Sequence, residues 1–106
     1  DQLIRRVLCE VHRVVQPGGW LLLHLNSLED MSYRARRYPR VAELEPHYYR
    51  EAHGQTMHFF SEEYCREVLG EWALLELSHV PLHDGDGTVV KCVWRSVARK
   101  LPPQTA

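Results

Sequence analysis

Apolar positions recur at helical spacing from the start of the chain. Leu3, Ile4, Val7, Leu8, Val11, Val14 and Val15 share one broad face, and Arg5, Arg6, Glu10 and Arg13 take the other. A stripe this wide predicts a helix lying flat on a sheet. Pro17 biases Gln16 away from helical dihedrals and has no amide donor, so the helix stops there. Gly18 and Gly19 then reverse the chain, and Trp20 to Leu25 follows as an unbroken apolar strand. A strand apolar on both faces is built for the interior of a sheet, with a strand on each side and helices above and below. The remaining sequence supplies only part of that cover, so the chain reads as a piece of a larger fold.

Periodicity is poor from Asn26 to about His58. A connection of this length is typical of a lid or binding loop. Within it, Glu29 to Tyr38 has the makings of a short helix ending before Pro39. Order returns at Ser61, a good N-cap, followed by Glu62 and Glu63 where the helix dipole favours negative charge. Tyr64, Cys65, Val68 and Leu69 form the buried face of that helix, and Gly70 ends it. Trp72 to Leu82 reads as a strand, with Leu75 and Leu77 on one face and Trp72, Leu74 and Val80 on the other. His83 to Gly87 is a hairpin turn rich in Asp-Gly, and Thr88 to about Ala98 returns as a β-branched strand. A helix between two strands implies a right-handed crossover and parallel pairing, to which the hairpin adds one antiparallel strand. The tail Leu101 to Ala106 is expected to be extended and mobile.

Composition narrows the class. With 106 residues, 44% hydrophobic and 25% charged, the chain is one modest globular domain. A net charge of −1 provides no field for nucleic acid or an anionic membrane. Cys9, Cys65 and Cys92 are odd in number and form no C-x-x-C pair, as expected for reduced thiols in a cytoplasmic protein. No apolar run approaches the roughly 18 residues of a membrane span. The chain opens at Asp1, just ahead of the helical pattern. Tag removal and truncation of a longer protein both account for that start.

Arg13-Val14-Val15-Gln16-Pro17-Gly18-Gly19-Trp20-Leu21-Leu22 resembles the stretch entering the fifth strand of class I S-adenosylmethionine-dependent methyltransferases. Val15 and Gln16 depart mildly from the usual form. His58-Phe59-Phe60-Ser61-Glu62-Glu63, followed by Leu69, resembles the opening of the next helix in tellurite-resistance-type and related small-molecule methyltransferases. The closing hairpin, ending Val93 to Lys100, is similar to the family's sixth and seventh strands, the seventh running antiparallel between the fifth and sixth. The resemblance covers nearly the whole chain. It implies an α/β fold that is the C-terminal half of a Rossmann-like methyltransferase: a three-stranded mixed sheet, its last strand antiparallel in a hairpin, with two or three helices. Residues 1–100 would form this partial domain, residues 26–58 its lid-like loop and residues 101–106 the tail. The implied cofactor is S-adenosyl-L-methionine and the implied partner a small-molecule substrate. The family's glycine-rich cofactor loop has no counterpart, since no G-x-G-x-x-G run occurs in this sequence. The chain alone is therefore expected to be inactive.

In open α/β folds ligands lie beyond the carboxyl ends of the parallel strands. Asn26 and Ser27 occupy that position, as substrate contacts or as plain turn residues. The loop arginines Arg34, Arg36, Arg37, Arg40 and Arg50, set among Tyr33, Tyr38, Tyr48 and Tyr49, suit an acidic or oxyanion substrate, or equally a solvated surface. Tyr33 and Arg34 complete the substrate-lining candidates with His58, which has the chemistry of a base on an incoming nucleophile and equally that of a capping or packing residue. No metal is expected. His79 and His83 have a zinc spacing only on a helix, His53 and His58 have no third ligand at a familiar spacing, and a tight hairpin explains Asp84 and Asp86. A second reading is a non-catalytic module that self-associates as a homodimer through the exposed edge of strand 20–26.

Overall fold

The computed structural model describes residues 2–36 and 38–103. Arg37, one of the loop arginines, and the tail end Gln104 to Ala106 lie outside the described residues. Helix α1 (Gln2–Val14) and strand β1 (Trp20–Asn26) are joined by the Pro-Gly-Gly turn. Gly18 takes φ +80°, and its carbonyl accepts from the Arg99 guanidinium at 2.9 Å. Gly19 is required for space, because a Cβ there would stand 2.6 Å from Val15 Cγ1 and 2.8 Å from the Gln16 carbonyl.

The connection after β1 is not irregular. It holds helix α2 (Asp30–Ala35) and a separate antiparallel sheet of β2 (Arg40–Glu45), β3 (Tyr48–Glu51) and β4 (Thr56–His58). These strands are short and β2 is almost wholly exposed, with register shifts on both sides of Ala42-Glu43. No apolar alternation marks them in the sequence. Helix α3 (Glu62–Val68) follows, its Ser61 hydroxyl accepting from the Tyr64 amide at 3.1 Å, as the N-cap reading requires. Strands β5 (Trp72–His83) and β6 (Val89–Lys100) close the chain.

The main sheet has the order β1-β6-β5, with β6 antiparallel to both neighbours. Thus β1 and β5 point the same way but never pair. The expected parallel pairing is replaced by insertion of β6, the position that the family resemblance implies. Among the described residues the ladders of this sheet are antiparallel rather than mixed. The hairpin return makes the local antiparallel ladder, and the crossover through α3 leaves a gap that β6 fills.

Both α1 and α3 pack on one face. Ile4, Leu8 and Val11 of α1, with Val15 just after it, meet Leu21 and Leu23 of β1, Val68 and Leu69, Trp72, Leu74 and Ala98. Leu25, Phe60, Tyr64 and Cys65 continue this core toward Leu77 and Trp94. Leu74 and Leu77 thus share a face, contrary to simple alternation. A bulge between Leu74 and Glu76 inserts one residue, which resets the alternation and leaves Leu75 57% exposed. On the uncovered face Trp20 and Leu22 of β1 are 53% and 72% exposed. A strand with the composition of a central one therefore has one strand neighbour and one packed face.

Candidate functional site

The carboxyl end of β1 gathers side chains from four distant segments. Asn26 donates from Nδ2 to the His58 carbonyl at 3.4 Å, and its Oδ1 accepts from Lys91 Nζ at 3.0 Å. Ser27 is buried, and its amide donates to the Cys92 carbonyl at 3.1 Å. The Ser27 hydroxyl accepts from the Glu29 amide at 3.1 Å and lies 2.8 Å from His79 Nε2. Asp30 is also buried; its Oδ1 accepts from the Cys92 amide at 2.9 Å, and its Oδ2 stands 3.5 Å from Lys91 Nζ. These contacts anchor the start of α2 to β6.

His58 ends β4 beside this cluster. Its ring stacks on Tyr48 at 4.3 Å between centroids, and Nδ1 is buried without a hydrogen-bond partner. Burial lowers its pKa from the ordinary histidine value, with His47 adding to the effect and Glu45 opposing it. A neutral imidazole is the form a general base needs.

Tyr33 and Arg34 sit on α2, where they line a cavity of about 430 Å³ with Arg36, Tyr38 and Lys91. The Arg34 guanidinium is already engaged. It forms a two-pronged ion pair with the fully buried Glu51 carboxylate, 2.8 Å from Nη2 to Oε1, and lies 4.7 Å from the Tyr38 ring centre. Arg36 is exposed and lies 5.9 Å from the Tyr33 ring centre. The structure therefore brings Asn26, Ser27 and His58 together, and Tyr33 and Arg34 together. Lys91 links the two groups, since it both bonds Asn26 and lines the cavity. Nothing in the sequence singles out Lys91 or Asp30: their roles arise from pairing across segments more than sixty residues apart.

Nucleophilic chemistry at Cys65 and Cys92 is disfavoured. Burial pushes the Cys65 thiol up to about 12, and burial beside Glu29 and Asp30 raises that of Cys92. No helix among the described residues is long and apolar enough to cross a membrane.

The glycines do not form a cradle for S-adenosylmethionine. Of those with positive φ, Gly18 is held against Arg99, while Gly54 and Gly87 are open turns with nothing within 4 Å of an added Cβ. Gly19 is closed by the end of α1 itself. The residues present do not fit the cofactor, so no chemical step is assigned to it on this chain.

No protein-family model matches the sequence, and a search of curated proteins found no relative. Among solved structures, a SAM-dependent methyltransferase from Methanosarcina mazei is similar over 94% of this chain, with 20% identity and a TM-score of 0.68. The match covers 52% of that enzyme, so the chain spans about half its length. The chain shares the fold of about half of that SAM-dependent methyltransferase.

Proposed function

We propose that this chain is part of a cytoplasmic SAM-dependent methyltransferase of the tellurite-resistance or related small-molecule type. It would supply the substrate side and be inactive by itself. The fold likeness over nearly the whole chain carries this reading. The 430 Å³ cavity is in the size range of small-molecule sites, and its aromatic and cationic lining suits a small acidic substrate. Arg36 and Lys91 attract the anion, Tyr33 and Tyr38 pack on its apolar part, and Asn26 and His58 orient the nucleophile. The exposed Trp20 and Leu22 on one side of the sheet, and Leu3, Val7 and Val14 of α1 on the other, are apolar positions that a cofactor-binding half wrapping the β1 edge would cover. Calorimetry of S-adenosylmethionine with this chain is expected to give no micromolar binding, and a methyl-transfer assay no turnover. Binding with turnover would overturn the inactivity. Sequencing the reading frame upstream of Asp1 tests the assignment itself: a glycine-rich strand-turn-helix supports it, and a start codon close to Asp1 counts against it.

The position of β1 at a sheet edge favours a second reading. Its outer backbone groups and the exposed Leu22 suit pairing with a second copy, giving a non-catalytic homodimer. Light scattering at high concentration separates the readings, since a clean monomer argues against self-pairing.

A further inference from the structure

Three donors of different chemistry converge at the carboxyl end of β1. Glu29 precedes α2, His79 lies on β5 and Cys92 on β6. One carboxylate oxygen, one imidazole nitrogen and the Cys92 sulfur all lie within 4.8 Å of one another. His79 and Cys92 occupy neighbouring pairs of the same ladder, His79 opposite Trp94 and Pro81 opposite Cys92, so both side chains project from the same face.

The surroundings hold two of these donors in place. The Ser27 hydroxyl accepts from the Glu29 amide at 3.1 Å and lies 2.8 Å from His79 Nε2, which ties the imidazole to the start of α2. The Trp94 ring packs edge-on against the imidazole at 4.8 Å and restricts its rotation. Cys92 is buried, with its amide fixed by Asp30 and its carbonyl by Ser27. The Glu29 carboxylate is exposed and 3.7 Å from Nε2, free to swing in as the third donor.

We propose that Glu29, His79 and Cys92 form a binding site for a thiophilic divalent cation of the zinc class. A sulfur, an imidazole nitrogen and one carboxylate oxygen suit zinc, whereas magnesium and calcium take oxygen donors. Metal–ligand bonds of about 2.0–2.3 Å require the donors to close in by roughly 1 Å, and the exposed Glu29 side chain has room to rotate inward. Three protein donors leave a fourth position for water or the Ser27 hydroxyl. The site is independent of the methyltransferase reading, because its donors need neither cofactor nor substrate.

The test uses the metal-free 106-residue chain, titrated with Zn²⁺ against a chromophoric chelator and with Co²⁺ by absorption spectroscopy. One equivalent is expected to bind, with a thiolate-to-cobalt charge-transfer band. Cys92→Ser should abolish the band, His79→Gln should weaken Zn²⁺ binding by at least about tenfold, and Cys9→Ser should change neither. Absence of the band in the unmodified chain overturns the proposal without recourse to any variant. Its persistence in Cys92→Ser, or unchanged Zn²⁺ affinity in both site variants, overturns it as well.

Discussion

Arg34 on α2 closes a two-pronged ion pair on Glu51 of β3, and the two sides of that pair are unequally buried. The Glu51 carboxylate is fully enclosed, whereas the Arg34 side chain keeps 18% of its surface in solvent. Removing the arginine strands a buried charge, while neutralising the glutamate leaves a cation that can rehydrate. Arg34→Ala is therefore expected to cost about 3–5 kcal/mol and Glu51→Gln about 1–3 kcal/mol. Chemical denaturation of both variants checks the order; equal costs would contradict it.

The turn before β1 depends on two glycines for different reasons. Gly18→Ala places a side chain at φ +80° in otherwise ordinary space, with an expected cost of about 1–2 kcal/mol. Gly19→Ala drives a methyl into Val15 and the Gln16 carbonyl. Backbone must shift there, so the loss of thermal stability should be the larger of the two.

Lys100, the last residue of β6, donates its ammonium to the carbonyls of His12 and Val15 at the end of α1. These carbonyls have no helical partner, and the positive charge also complements the helix dipole. Lys100→Met keeps most of the side-chain stem and removes the cap. A loss of about 1–2 kcal/mol is expected in urea denaturation.

His58 makes stability pH-dependent. Its folded pKa is lowered from 6.5, so the unfolded chain takes up the proton first as pH falls. The contribution is present above pH 6.5 and is lost as pH falls through the lowered folded value. His58→Phe should flatten the thermal-stability profile across that acidic window while keeping the contact with Tyr48. An unchanged profile would rule His58 out as its source.

Self-association through β1 would bring Leu22 against a second copy. Leu22→Lys puts a charge on that exposed face and is expected to convert any dimer to monomer with the fold intact, as measured by light scattering and circular dichroism. A dimer that survives the substitution would have to use another surface.

Local chemistry made much of this protein legible from residue order alone. The wide stripe of α1, Pro17 with its two glycines, the Ser61 cap and the Asp-Gly hairpin each act within a few residues, and each lies where the sequence places it. The position of β1 as an unshielded edge also follows from its composition set against the little cover the chain offers. Pairing across the chain was decided elsewhere. Insertion of β6 between β1 and β5 is a property of the whole sheet, and the bulge at Leu75 reverses the alternation on which face assignments depend. The small sheet β2-β3-β4 has little apolar alternation, because its anchors are the buried Arg34–Glu51 pair and the stacked ring of His58. The same holds for Lys91, Asp30 and the convergence of Glu29, His79 and Cys92. Hydrogen bonds and ligand geometry act over about 3 Å of space and carry no period along the chain, so only the folded structure brings those residues together.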